Sequence, residues 1–180
     1  DWIPLDEKYN LELRLPQKEV MLILLDERNK NLAIAIHYSD FNTLASESAK
    51  LLSEGNVIGW FQGRMEFGPR ALGGRSILAD ARNPEMQKKL NLKIKFREGF
   101  RPFAPSVLAE EKNKYFEIES DSPYMLLVHP VKKERQNKLP DNYSSLTITD
   151  KLYFLRSDIP SVTHIDYSAR IQTVHKDTNE

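Results

Sequence analysis

The sequence contains no cysteine, which excludes disulfide bridges and any thiol nucleophile. It has no long apolar run. Met21 to Leu25 is the strongest, far short of the roughly 18 residues of a membrane span. No signal-peptide pattern opens the chain. Together these absences lead us to expect a cytoplasmic protein with no membrane partner. Net charge is also missing: 26 Lys and Arg balance 26 Asp and Glu, which argues against a dedicated nucleic-acid binder. The four histidines are scattered, with no His-x-x-x-His spacing that would hold a metal. No Ser/His/Asp set, paired-carboxylate pattern, internal repeat or low-complexity stretch occurs. What is present is an ordinary globular composition of 180 residues, 40% hydrophobic and 29% charged. That suits one domain plus an arm. The opening Asp1, where a methionine would start a gene product, leads us to expect a piece of a longer protein.

Residues 1–18 are polar, proline-punctuated and without a period, and read as an arm. Val20–Leu25 and Leu32–His37 read as strands joined by a turn over Asp26–Asn31. Thr43–Glu54 has helical periodicity and Gly55 to end it. Val57–Phe61 reads as a buried strand. Asn83-Pro84-Glu85 predicts a helix start running to about Leu92. Phe103–Leu108 reads as a strand at an edge or bulge because of Pro105. Glu110–Phe116 reads as a short helix, Tyr124–Val131 as a strand, and Ala169–Val174 as a last strand. Lys132–Asp158 is polar and mixed, with a hairpin expected around Leu152–Leu155. Interleaved helices and strands predict an α/β or α+β domain.

Charge and glycine are concentrated in one place. All seven glycines lie between Gly55 and Gly99. From Arg64 to Arg101 there are ten Lys or Arg and four acids, a local excess of six in a chain whose total is zero. Glycine lets backbone N–H groups approach an anion, and arginine offers forked donors that match phosphate or carboxylate. Gly63 to Ser76 therefore describes an oxyanion cradle, with Arg64, Gly68, Arg70 and Arg75 as its candidates. Its glycine intervals fit neither a Walker loop nor a dinucleotide fingerprint. The second element is Lys95 to Ser106. If extended, it points Lys95, Arg97 and Arg101 to one face. Phe96, Phe100 and Phe103 fit core packing, or stacking on a base, and Ser106 is a candidate phosphate donor. Lys88, Lys89 and Lys93 read as a solvated helix face. The third element is Pro160 to Arg170. His164 and Asp166 share a strand face there, a pair suited to proton transfer or to metal, though two ligands do not make a metal site.

Three stretches resemble the C-terminal region of the ATP-dependent O-carbamoyltransferases that modify nodulation factors and antibiotics. They are Gly59-Trp60-Phe61-Gln62-Gly63-Arg64-Met65-Glu66-Phe67-Gly68-Pro69-Arg70-Ala71-Leu72-Gly73 through Arg75–Asp80, then Asn91–Leu108, then Val162–Val174. The likeness spans roughly residues 43–131 and 159–174. It implies a twisted open mixed sheet with flanking helices, similar to the threonylcarbamoyl-AMP synthase fold, truncated at the C-terminus. Residues 1–40 would be an N-terminal arm with strands, and 41–180 a partial carbamoyltransferase C-terminal domain. The resemblance also implies that carbamoyl phosphate and ATP, with Mg²⁺, give a carbamoyl-adenylate and pyrophosphate. A separate actin-like domain of the parent protein, carrying its own metal, would pass the carbamoyl group to a hydroxyl of a small molecule or glycan. Arg70, Lys95, Arg101 and Arg170 match family positions lining that pocket. Arg64, Gly68, Arg75, Arg97, Ser106 and His164 come from the charge pattern instead, as cofactor-binding candidates.

This chemistry suits the residue types. Two anions that repel each other need several fixed cations to meet, and no covalent nucleophile. The sequence lacks the family's actin-like domain and the Asn-Thr-Ser-Phe-Asn run expected after Val174. The fragment is therefore expected to be inactive in the complete reaction. Asn137–Asp158 has no counterpart in the pattern and reads as a surface insertion. The alternative is a non-catalytic nucleotide- or RNA-binding module of the same fold, with RNA disfavoured by the zero net charge.

Overall fold

The structure is a computed structural model that describes residues 20–25, 33–38 and 40–177. The expected arm at 1–18 and the turn at 26–31 lie outside the described residues. The chain divides into two compact units, Asp1–Lys50 and Leu51–Glu180. In the first, β1 (Val20–Leu25) pairs antiparallel with β2 (Ala33–Tyr38), with Val20 opposite Tyr38. The apolar, β-branched runs of both segments explain the pairing.

α1 (Phe41–Ser53) begins behind Asp40, whose Oδ1 accepts the Thr43 N–H at 3.0 Å. It ends at Gly55, where φ is +84°. The Gly55 N–H donates to the Leu52 carbonyl at 2.9 Å and the Asn56 N–H to Leu51 at 3.1 Å. These are the two bonds of a Schellman stop, which requires a left-handed residue at that point.

In the second unit β3 (Ile58–Phe61) turns back through residues 62–74 onto β4 (Arg75–Leu78), antiparallel. The Gln62 N–H to Gly74 carbonyl bond, 3.0 Å, adds one rung beyond the strands. Asn83 turns the chain just before the next helix, its Oδ1 accepting the Glu85 N–H at 2.9 Å, but the N-cap itself is Glu85, whose side chain makes no capping bond. α2 (Met86–Lys89) follows, then widens into a π-helical turn at Leu90–Ile94. Pro105 precedes β5 (Ser106–Leu108), and α3 (Lys112–Tyr115) follows a 3₁₀ turn. β6 is Val128–Pro130, α4 is Ile148–Tyr153, and β7 (Ser168–Arg170) and β8 (Gln172–Val174) close the order.

The result is a mixed α+β arrangement. β5 pairs parallel with β8, and β6 antiparallel with β7. Among the described residues the strands pair two by two, without a closed barrel and without the single continuous sheet expected. Pro105 and Pro130 supply no N–H, which limits ladders on either side of them. The predicted strand 169–174 breaks at Ile171, which is fully buried between two strands with different partners. Tyr124–Val131 shortens to β6 because Met125 takes φ +59°. The hairpin expected at Leu152–Leu155 is instead the end of α4. Thr147 Oγ1 accepts the Asp150 N–H at 3.1 Å and caps that helix.

One core holds these pieces: Phe116, Ile118, Val131, Ile159, Val162, Ala169 and Ile171. Burying each larger side chain contributes about 1.5–3 kcal/mol. The core lies directly under β6, β7 and β8 and so fixes residues 168–174. No helix among the described residues is long and apolar enough to cross a membrane.

Candidate functional site

The Arg-Gly loop between β3 and β4 braces itself. Arg75 donates from Nε to the Glu66 carbonyl at 3.1 Å and from Nη2 to the Gly68 carbonyl at 2.9 Å. Both carboxylate oxygens of Glu66 accept the Leu72 N–H, at 3.0 and 3.1 Å. Gly73 N–H donates to Ser76 Oγ at 3.0 Å. Arg75 is thus a strut of the loop, with its donors turned to the loop's own carbonyls. Gly68 contributes one of those carbonyls. The side chains of Arg64 and Arg70 have no hydrogen bond or ion pair among the described residues.

Gln172, 5% exposed on β8, ties this loop to the strands. Its Nε2 donates to the Leu72 carbonyl at 2.6 Å, and its Oε1 accepts the Ser106 hydroxyl at 2.9 Å. The Ser106 proton is committed to that bond, so Ser106 faces an added ligand as an acceptor.

Beside Gln172, Arg170 reaches the same region. Its Nε is buried without a hydrogen-bond partner, and Nη2 meets only the Met125 sulfur at 4.0 Å. Burial first, and the nearby Arg70 charge second, push the Arg170 guanidinium below its ordinary value. Arg70 is thus near enough for its charge to act on Arg170, and among the described residues no acid pairs with either, an arrangement that an anion would relieve. Half-buried His164 stands close to both Arg170 and Asp166. Burial lowers its pKa, Asp166 opposes that, and Arg170 adds to the lowering. Asp166 itself accepts from the Ser168 hydroxyl at 2.7 Å and its N–H at 3.0 Å, and these bonds hold its carboxyl low.

The second basic stretch is organised by a residue the sequence did not single out. Asn91 is fully buried in the π-helical turn. Its Nδ2 donates to the Arg101 carbonyl at 2.8 Å and the Gly99 carbonyl at 3.2 Å, and its Oδ1 accepts Arg97 Nε at 2.7 Å. Gln87 Nε2 adds 3.3 Å bonds to the Phe100 and Arg101 carbonyls. Arg97 also lies over the Phe103 ring, 5.0 Å from its centre. Arg101 is exposed and pairs with Glu98 at 2.8 Å. Exposed Lys95 has no partner for its ammonium among the described residues. Phe96 and Phe100 are exposed and Phe103 packs against the core, so neither single reading covers all three. The only sequence signal for Asn91 was an amide set between Leu90 and Leu92 in an apolar helical run.

The charge of Arg170 is therefore felt at His164, and that of Arg70 at Arg170, while Gln172 links the Arg70 loop to Ser106. Lys95, Arg97 and Arg101 form a second group on one segment. Among the described residues, three other than glycine hold a left-handed backbone: Phe96 at φ +47°, Met125 at +59° and Tyr167 at +64°. Each is adjacent to, or touching, one of these cations or His164, and such strain is commonly held at working sites. A cavity of about 340 Å³ opens elsewhere, lined by Arg82, Tyr115, Arg135, Asp158 and Val162, and meets the candidate set only at Ser106. Its cations are already spent: Arg82 on Asp80 at 2.7 Å and Arg135 on Asp158 at 2.5 Å. Among the described residues, the candidate cations with no acid partner are Arg64, Arg70, Lys95 and Arg170, and of these Arg170 alone has a buried nitrogen left without a hydrogen bond.

Comparison with known proteins gives a consistent set. The family model described as carbamoyltransferase C-terminus matches residues 49–180. An uncharacterised protein of Synechocystis is 56% identical over 147 residues, covering 82% of this chain and 24% of that protein. Nodulation protein NolNO of Sinorhizobium fredii is 43% identical over 140 residues, 76% of this chain and 18% of its own length. The 3'-hydroxymethylcephem-O-carbamoyltransferase of Streptomyces clavuligerus is 38% identical over 128 residues, 71% of this chain and 20% of its own. The chain spans a quarter or less of the length of these relatives.

Proposed function

This chain belongs to the carbamoyltransferase C-terminal family, and from that premise we propose that it binds ATP and carbamoyl phosphate and activates the carbamoyl group. The observation that carries the reading is Arg170, whose buried Nε has no hydrogen-bond partner and whose guanidinium, like that of Arg70 near it, has no acid to offset it among the described residues. Such a pair costs free energy unless an anion completes it.

In the proposed reaction water takes the phosphoryl group of carbamoyl phosphate: its O–P bond to the carbamoyl group breaks, and inorganic phosphate and carbamate result. A carbamate oxygen then bonds to the α-phosphorus of ATP. The bond from that phosphorus to the α–β bridging oxygen breaks and pyrophosphate leaves. Arg70 and Arg170 hold phosphoryl oxygens and offset the charge that builds as pyrophosphate departs. Lys95, Arg97 and Arg101 extend the positive wall, and Arg64 and His164 border it. Gly68 and Arg75 shape the loop, and Ser106 accepts a hydrogen bond at the rim. Among the described residues no group of three or more acids or histidines could hold Mg²⁺. Mg²⁺ is therefore assigned to the nucleotide's own phosphates, and no step is drawn through it. Transfer of the carbamoyl group to a hydroxyl acceptor is assigned to an actin-like domain of the parent protein. The fold is proposed to be of the threonylcarbamoyl-AMP synthase type.

Isothermal titration of Mg²⁺–ATP and of carbamoyl phosphate into the 180-residue chain tests this. Both ligands should bind, and Arg70→Ala or Arg170→Ala should each weaken binding about 10- to 100-fold. A folded wild-type chain that takes up neither ligand would defeat the proposal.

A further inference from the structure

The segment Asn137–Asp158 has no counterpart in the pattern read from the sequence, yet its excursion over residues 137–156 is firmly built. At its base Gln136 bridges to Ser157, and the Asn137 N–H donates to the Arg156 carbonyl at 2.7 Å. Asn137 Nδ2 donates to the Leu155 carbonyl at 2.8 Å, and Arg135 pairs with Asp158 at 2.5 Å. Inside it Arg156 is 4% exposed and has no acid partner among the described residues. Its guanidinium instead collects carbonyls at the end of α4, those of Lys151, Leu152 and Phe154, and the Tyr143 hydroxyl at 2.9 Å. A cation at a helix C-terminus satisfies orphan carbonyls and the helix dipole together.

That anchoring fixes Tyr153, the last residue of α4. Its hydroxyl stands 2.8 Å from the place a Cβ on Gly99 would occupy. Gly99 does not have a left-handed φ, so backbone conformation does not require glycine there. Space does. On its other side the ring of Tyr153 faces Lys88 Nζ, 5.7 Å from the ring centre. The carbonyls of Gly99, Phe100 and Arg101 are thus held by Asn91 and Gln87, and the Tyr153 hydroxyl of α4 stands against Gly99.

We infer that Tyr153 is a positioning residue of the anion site, through which the 137–156 excursion sets where Arg97 and Arg101 stand. This rests on the reading that those cations meet the phosphates. It makes the excursion part of the site and gives Gly99 its reason.

The test uses the whole chain, with hydrogen exchange over Lys95–Phe103 and titration of Mg²⁺–ATP and carbamoyl phosphate. Gly99→Ala should speed exchange in that segment and weaken ATP binding, each about tenfold. Adding Tyr153→Phe should restore both to within about threefold, because removing the hydroxyl frees the space the new methyl needs. Tyr153→Leu alone should speed the same exchange, with a melting temperature that shows the chain still folded. Unchanged exchange in Gly99→Ala, or a second substitution whose effect merely adds, overturns the inference. If the wild type binds neither ligand, the functional reading falls, and the exchange measurements still decide the positioning role.

Discussion

At the scale of single residues, His164 gives the sharpest pH expectation. Its folded pKa lies below the ordinary 6.5, chiefly from burial. Below that value the folded chain holds fewer protons than the unfolded chain. Stability therefore rises with pH through this window and is lost as pH falls from about 6.5 toward the folded pKa. His164→Gln should flatten that slope in melting curves recorded between about pH 5 and pH 7.5. Binding supplies a second reading. An anion beside Arg170 screens the charge that lowers the His164 pKa, so ligand binding should draw in protons. Titrations in two buffers of different ionisation enthalpy would measure the uptake, which His164→Gln should abolish. Equal apparent enthalpies in both buffers would place His164 outside the anion's field. Arg75 shows the other side of residue-level reading. A guanidinium in a glycine loop looked like a ligand donor, but its Nε and Nη2 brace Glu66 and Gly68.

At the scale of elements, the stop of α1 is open to a direct measurement. Gly55 combines φ +84° with an Asn83 side chain 3.2 Å from the place of a Cβ. Its carbonyl also accepts Lys89 Nζ at 2.8 Å, so the same turn meets α2. Gly55→Ala should destabilise the chain by about 1–2 kcal/mol in denaturant titration. Gly55→Asn should cost less in backbone strain, since asparagine tolerates the left-handed region. An alanine variant as stable as wild type would mean the turn relaxes. The π-helical turn at Leu90–Ile94 carries a wider lesson. Periodicity placed the helix and Asn83 placed its start, but nothing local announces an i→i+5 turn. The Lys95 N–H to Leu90 carbonyl bond at 2.8 Å forms while Asn91 is satisfied by Gly99, Arg97 and Arg101.

At the scale of the molecule, the core and the site are coupled at Ile171. This residue is fully buried, and its neighbours in sequence are Arg170 and Gln172. Its N–H donates to the Leu127 carbonyl at 3.0 Å, between the two strand pairs. Ile171→Ala should cost about 2–5 kcal/mol and weaken ATP binding as well. Val162→Ala, in the same core but distant in sequence from the cations, should lower stability while leaving the affinity of the folded chain nearly unchanged. Chemical denaturation and ATP titration of both variants would separate the two effects. If both lose affinity equally, the core does not transmit position through Ile171.

The sequence by itself determined the chemical character of this protein. Glycine, arginine and lysine between Gly63 and Ser106 concentrate positive charge of the kind that suits an anion, and three stretches of residues carry the likeness to the family. Local signals also set the β1–β2 pairing, the start and stop of α1 and the turn at Asn83, because those depend on neighbours along the chain. Tertiary structure alone decided which cations are free and which are spent. Arg70 and Arg170 are a hundred positions apart in sequence, and only the packing of Ile171 and the reach of Gln172 to Leu72 bring their segments together. The same holds for Gly99 and Tyr153, whose close approach is a matter of space between distant segments, and no pattern of residues along one chain records it.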